Sequence, residues 1–130
     1  MADKIAFDLV SPERLLLSCE ADIVTIPATE GYMGVMAGHA PVVSTLRAGM
    51  VDVMRDGSDD RYFIRGGFAE IGPTKVTILA EEALPFAEMD LAILDQRIKD
   101  AEDDLIAAPD ADKARAGQML DDLRLVRAAF

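Results

Sequence analysis

Two residues could most readily begin covalent chemistry, and each is the only one of its type: Cys19 and His39. A thiol beside an imidazole is a nucleophile pair, because the ring can take the thiol proton and leave the more reactive thiolate. Twenty positions separate them, on different predicted strands, and no third group is placed to orient the ring. A lone histidine before Ala40-Pro41 reads more plainly as structural or interfacial. The adjacent carboxylates Asp59-Asp60, Glu81-Glu82, Asp103-Asp104 and Asp121-Asp122 are the next candidates, for acid–base work. Neighbouring side chains diverge on a strand or a helix, so each pair reads as solvated surface. The expectation is no catalytic residue, no metal ligand and no cofactor.

The most unusual stretch is Glu30-Gly31-Tyr32-Met33-Gly34-Val35-Met36-Ala37-Gly38-His39-Ala40-Pro41. Its glycines permit positive backbone dihedrals or close approach, and Pro41 fixes the exit. Large apolar side chains lie between them, where turn chemistry would favour polar ones. Two readings stay open: an apolar loop that serves as a contact surface, or a core-facing meander whose glycines are bulges. The spacing matches neither the dinucleotide fingerprint nor the phosphate loop, and no Lys-Ser or Lys-Thr follows.

These residues need a scaffold, and the chain of 130 residues punctuates it in two grammars. Residues 1–86 read as short antiparallel strands. Ile5, Phe7 and Leu9 alternate until Ser11-Pro12; Asp22 to Ile26 is a β-branched run closed by Pro27. Val51 and Val53 lead into a polar turn at residues 56–60 and then Tyr62 and Ile64, a hairpin pattern. Phe68 to Ile71 turns at Gly72-Pro73-Thr74 into Val76 and Ile78. That spacing predicts a sandwich or flattened barrel. Residues 87–130 switch to helical spacing. Leu91, Leu94, Ile98, Ala101 and Leu105 form one stripe from about Glu88, with Glu88 and Asp90 in the first turn. Ala107-Ala108-Pro109-Asp110 breaks it. Ala116, Met119 or Leu120, Leu123 and Val126 form a second stripe, with Arg124 and Arg127 near its end. Two helices of about 30 Å each are expected, in an alanine-rich hairpin of marginal stability.

Bulk composition narrows the partners. The formal charge is −11, from 24 acids and 13 bases, which argues against nucleic-acid or anionic-lipid binding. The deficit is shared, −6 over residues 1–86 and −5 over residues 87–130. No apolar run approaches the 18 or so residues that span a bilayer; the longest resemble Leu15-Leu16-Leu17. The start Met1-Ala2-Asp3-Lys4 does not fit a signal peptide. The reading is a soluble chain that keeps its N-terminus, in a reducing compartment because one cysteine cannot make an internal disulfide.

Glu30-Gly31 through Gly34, Gly38-His39-Ala40-Pro41, Leu46-Arg47-Ala48-Gly49, Gly66-Gly67-Phe68 and Val76-Thr77-Ile78-Leu79-Ala80 follow one another in an order and spacing that resemble the epsilon subunits of F-type ATP synthases, called delta in mitochondria. The resemblance covers essentially the whole chain, including Val10-Ser11-Pro12 and the C-terminal hairpin. It implies an all-β sandwich of about ten antiparallel strands in residues 1–86 and an antiparallel two-helix hairpin in residues 87–130. It further implies a non-catalytic rotor subunit that couples the gamma shaft to the membrane rotor ring during proton-driven ATP synthesis. Such a subunit sits peripherally on the cytoplasmic face of the bacterial inner membrane, without insertion. Tyr32, Met33 and Gly34 would lie against the ring, and Ser11, His39 and Ser44 would face gamma. The alternative implied role is regulatory: a hairpin that inhibits ATP hydrolysis by reaching the alpha/beta catalytic head, with Asp90, Arg124 and Arg127 as contacts. Members that bind ATP resemble Ile/Leu-Asp-x-x-Arg-Ala, whereas here Met89-Asp90-Leu91-Ala92-Ile93-Leu94 puts Ile93 where the arginine stands, which removes the group that would pair with a phosphate.

Overall fold

The structure of the chain, a computed structural model, describes residues 3–129. Met1 and Ala2 of the N-terminal reading, and Phe130 at the end of the hairpin, lie outside them. The chain divides into two units, Met1–Phe86 and Ala87–Phe130.

The first unit holds eight strands: β1 (Ile5–Val10), β2 (Leu15–Ala21), β3 (Ile23–Ala28), β4 (Gly31–Val35), β5 (Val42–Arg55), β6 (Ser58–Ile71), β7 (Lys75–Ala80) and β8 (Ala83–Pro85). Their order is β2-β1-β7-β6-β5-β3-β4, with β8 on β6. The pairs are antiparallel except β1 and β7, which run parallel. Residues of every strand enter one buried cluster, among them Phe7, Ala21, Val24, Val35, Val51, Ile64, Ile78 and Ala83. A connected sheet with a single core on its inner face must fold over on itself, and the result is a β-sandwich.

Eight strands stand where about ten were expected because β5 and β6 each run 14 residues and serve both layers. β6 pairs with β8 through Tyr62–Ile64 and with β7 through Gly67–Ile71. The change of partner falls at Gly66-Gly67, whose φ values are +83° and +135°, open to glycine and strained for other residues. At the far end of the β5/β6 pair, Arg55 faces Ser58 across Asp56 (φ +50°) and Gly57 (φ +80°). This two-residue turn matches the twist of the strands and favours Asp-Gly, so the five-residue turn expected at 56–60 contracts and Ser58–Asp60 join β6.

Two further expectations are corrected and one open reading is resolved. β3 continues through Pro27 to Ala28 instead of closing at the proline. Pairing to β5 runs from Ile23↔Met54 to Thr25↔Asp52 and resumes at Ala28↔Leu46, so the proline occupies a slip in the ladder, where a missing N–H costs least. Cys19 lies on a strand as expected, β2, which forms one end of the sheet order, whereas His39, expected on another strand, lies in a loop. Of the two readings left open for residues 30–41, Gly31 to Val35 follow the meander, as strand β4 with Met33 and Val35 on its core side, and the chain becomes loop at Met36.

The second unit is an antiparallel hairpin of α1 (Leu91–Ala107) and α2 (Lys113–Ala128). Asp90 is the N-cap of α1: its side chain accepts from the Ile93 N–H at 2.8 Å, satisfying an amide that a helix start leaves orphaned. The helix therefore begins after Asp90, and Glu88 lies in a preceding 3₁₀ turn, Phe86–Glu88. At 17 and 16 residues the helices are about 25 Å long, shorter than expected. Ala108 is extended before Pro109, as a residue preceding proline prefers. Leu94, Ala101, Leu120, Leu123 and Val126 are buried, whereas Leu91, expected in the stripe, is exposed.

The crossover glycine gives a test. A Cβ on Gly67 would overlap the Leu79 carbonyl oxygen, whereas one on Gly57 meets open space. Gly67→Ala should cost about 3 kcal/mol or more in urea unfolding and Gly57→Ala only about 1 kcal/mol. Equal losses would show that the crossover tolerates a side chain.

Candidate functional site

Strand alternation sends one set of residues into the core and the other outward, and on the β2-β1-β7-β6-β5 side the outward set is apolar where it should be polar. Leu15, Val10, Leu79, Phe68 and Thr45 are successive cross-strand partners, so their side chains share one face. Val43 lies diagonally beside Phe68. Phe68 is 54% exposed and Val43 69%, and Leu15 and Leu79 are exposed as well. The next row, Ser18, Asp8, Thr77 and Glu70, is polar. There the Ser18 hydroxyl donates to Asp8 at 2.7 Å and Lys75 pairs with Asp8 at 3.1 Å. The Ser18 bond first, then Lys75, holds the Asp8 carboxyl below its ordinary range. An apolar row bordered by a fixed polar one is the anatomy of an interface, a dry centre with a wet rim.

These residues escaped the reading of the sequence, although a signal was present. Leu79 and Val10 occupy the phase of β7 and β1 otherwise taken by Thr77, Lys75 and Asp8. Apolar residues on the polar phase of a strand either meet a second layer or await a partner.

The expected contact residues are distributed differently. Ser11 lies half-buried in the β1–β2 turn, where its amide donates to the Arg14 carbonyl at 3.0 Å. It borders the apolar row beyond Val10. Ser44 is the cross-strand partner of buried Ala69, so its side chain takes the core side of β5, half-buried, while Val43 and Thr45 point out. His39 lies in the loop before β5; its Nδ1 is 2.7 Å from the Ala40 carbonyl, which can only accept, so Nδ1 carries the proton. The Gly38 amide next to it donates to the Pro73 carbonyl at 2.7 Å, which fixes this loop beside the β6–β7 turn. Cys19 packs against the core, and burial pushes its thiol up. It and His39 are thus engaged separately.

The β3–β4 turn, by contrast, shares the end of the sandwich where β5 and β6 cross: Thr29 Oγ1 donates to the Thr45 carbonyl at 3.1 Å and Arg47 Nη1 to the Thr29 carbonyl at 3.4 Å. Tyr32 and Gly34 face outward on β4 and are exposed, Tyr32 by 61%. Met33 turns the other way and packs against the core, so it anchors the strand instead of presenting a surface. At the opposite end Lys4 Nζ bridges Asp22 and Asp56, each at 2.8 Å. Bonds to Asp22 and Asp56 raise the Lys4 pKa, and those from Lys4 and the Asp56 amide lower that of Asp22.

In the hairpin, the residues assigned to regulation are occupied within it. Asp90 caps α1. Arg127 Nε meets Asp95 at 2.7 Å, and Arg124 meets Glu102 at 3.8 Å, clipping α2 to α1. All four side chains are well exposed, and exposed pairs contribute about 0–1 kcal/mol each.

The chain is similar to known proteins over most of its length. Residues 4–86 match a family described as ATP synthase, Delta/Epsilon chain, beta-sandwich domain. The chain is 50% identical over 129 residues to an ATP synthase epsilon chain of Parvibaculum lavamentivorans, covering 98% of each. It is 47% identical over 113 residues to that of Maricaulis maris, covering 87% of this chain and 85% of the relative. A chain in the structure of the Euglena gracilis mitochondrial ATP synthase, OSCP/F1/c-ring, superposes with TM-score 0.76 at 29% identity, over 97% of this chain and 81% of that one. A chain from the central stalk and c-ring of the Tetrahymena thermophila enzyme shares the fold, at TM-score 0.56 and 13% identity, over 67% and 70% of the two.

One group on the other outward face is electrostatically uncomfortable. Asp52 on β5 has a buried Oδ1 without a hydrogen-bond partner, and burial, then the nearby Asp59 carboxylate, pushes its pKa up. The folded state therefore holds this proton more tightly than the unfolded chain, and stability falls as pH rises from the ordinary carboxylate range through the folded pKa. Asp52→Asn should stabilise the chain by about 1 kcal/mol at pH 7, with the gain vanishing below about pH 4. Urea midpoints at the two pH values measure it; a gain independent of pH would assign the effect to something other than the charge.

Proposed function

The chain belongs to the delta/epsilon family of ATP synthase chains, non-catalytic subunits of the central stalk, and from that premise we propose that its sandwich joins the gamma shaft to the membrane rotor ring so that the three turn as one body. The observation that carries the reading is the out-of-phase apolar row Leu15, Val10, Leu79 and Phe68 with Val43 beside it. In this reading the row seats on gamma, with Ser11 at its β1 border and Ser44 and His39 along the edge and entry of β5. Fully covering a large apolar side chain contributes about 1.5–3 kcal/mol, so even half-exposed residues add enough, over five positions, to resist slip under torque. The β3–β4 end, with Tyr32 and Gly34 outward and Met33 holding β4 to the core, meets the polar loops of the ring. Among the described residues no helix is long and apolar enough to cross a membrane, which suits a peripheral place on the cytoplasmic face of a bacterial inner membrane, reached through the complex during proton-driven ATP synthesis.

A second, regulatory reading rests on the hairpin. It is a unit of its own whose ion pairs Arg127–Asp95 and Arg124–Glu102 are exposed and weak, so releasing the two arginines costs little, and Arg124 and Arg127 then meet the catalytic head. Ile93 leaves the start of α1 without a phosphate-pairing arginine, so this reading needs no ATP sensing.

Two substitutions separate the surfaces. Phe68→Glu should reduce recovery of gamma at least about tenfold, the cost of one buried charge, and leave the far-ultraviolet circular dichroism unchanged. Gly34→Asp, whose Cβ meets only the flexible end of Ile23 at 3.1 Å, should leave gamma bound and weaken recovery of the ring. If both variants retrieve both partners as the native chain does, neither surface is an interface. For the second reading, deletion of residues 88–130 should raise ATP hydrolysis by the assembled enzyme; unaltered hydrolysis removes the inhibitory role.

A further inference from the structure

Tyr32 is exposed, yet its hydroxyl oxygen is already engaged as an acceptor within the sheet. The Met50 N–H of β5 donates to Tyr32 Oη at 3.1 Å, although Tyr32 sits on β4 and the whole of β3 lies between the two strands in the sheet order. The slip in the β3/β5 ladder explains the reach. Between Thr25↔Asp52 and Ala28↔Leu46, β3 advances by two intervening residues and β5 by five, so β5 carries amides that β3 cannot serve. The residue of β3 directly opposite Tyr32 is Pro27. The phenol crosses over this proline and supplies the acceptor that the ladder lacks.

The crossing needs an empty place at the neighbouring position. A Cβ on Gly49 would stand 2.8 Å from Tyr32 Oη and 2.9 Å from the Pro27 Cβ, closer than real Cβ atoms approach other atoms. Gly49 and Pro27 are both buried, so an added Cβ would drive the exposed phenol off the Met50 amide and out toward solvent. Pro27, Gly49 and the Met50 amide form a seat shaped for the end of one side chain, with the ring above it turned outward.

We propose that Gly49 and the Met50 amide are the positioning elements of the Tyr32 contact, holding the oxygen end against β5 so that a partner meets the carbon face of the ring. The partner's role in this rests on the reading of the β3–β4 end as the ring-facing surface; the seat itself does not. It follows that the partner group against the ring is apolar or cationic, the chemistries that an aromatic face accepts; a group reaching the oxygen end meets only the O–H, a donor.

Amide hydrogen exchange followed by nuclear magnetic resonance on the full chain tests the seat. The Met50 amide should be protected in the native chain. Tyr32→Phe, which keeps the ring and removes only the acceptor, should speed its exchange about tenfold, with the Ile78 amide of β7 unchanged. Gly49→Ala should speed it similarly, and combining the two should add nothing further. A Met50 amide that is unprotected in the native chain, or unchanged in Tyr32→Phe, overturns the proposal, even if Gly49→Ala fails to fold. Recovery of detergent-solubilised rotor ring, measured on the same Tyr32→Phe protein, separates the two claims. Accelerated exchange with weakened recovery supports both. Accelerated exchange with native recovery upholds the seat and overturns its role in positioning the ring contact.

Discussion

The architecture depends on two long strands that refuse to stop. β5 and β6 stay paired from Val42↔Ile71 to Arg55↔Ser58, and the pair must bend to serve both layers. A bend in a continuous hairpin crowds backbone against backbone on its inner side, and there Gly67 leaves no Cβ to strike the Leu79 carbonyl. With that crossing in place, β7 and β1 extend one layer, β3 and β4 extend the other, and the inward phase of both closes on one core. Without it the same strands would make an open sheet with an apolar face to water, which small domains cannot sustain.

Much of this was legible because alternation is local. Ile5, Phe7 and Leu9, or Val76 and Ile78, announce a half-buried strand on their own, and Asp56-Gly57 announces a tight hairpin. The helix grammar from residue 88, broken at Ala108-Pro109, is equally local. What stayed hidden depends on partners distant in the sequence. Pro27 ends a strand by every local rule, yet a slip in pairing to β5 makes room for it inside β3. Leu15 to Ala21 alternates only from Leu17 on, with Leu17, Cys19 and Ala21 toward the core, and the run Leu15-Leu16-Leu17 masks that period. The Gly31–Val35 segment has turn residues but is held as a strand by its register with Val24–Ala28. Among the contact candidates, residue type alone could not tell that Met33 turns to the core while Tyr32 turns out. That is a matter of strand phase, and a single residue of register reverses it.

The two units are held by different physics. The sandwich encloses branched and aromatic side chains with no exposure, such as Phe7, Ile26 and Ile64, and each of these would cost several kcal/mol to unmake, about 2–5 for truncation to alanine. The hairpin offers alanines, a glycine within α2 and ion pairs open to solvent. Gly117 in a helix interior costs about 1 kcal/mol relative to alanine, comparable with what either ion pair returns. A unit so balanced responds to small free energies, whereas the sandwich does not.

That contrast bears on how a stalk subunit could carry load. The apolar row belongs to β2, β1, β7, β6 and β5, and the Tyr32 contact belongs to β4. Any torque entering by one and leaving by the other must cross the bent β5/β6 pair and then the β5/β3/β4 edge. The β3/β5 ladder is the weakest link in that path, because its slip at Pro27 removes backbone hydrogen bonds where the load would pass. The phenol of Tyr32, reaching over the gap to the Met50 amide, restores a tie at that place. The same residue would then both receive the contact and brace the strand behind it, so stiffness at this edge would owe more to one side-chain hydrogen bond than to regular pairing.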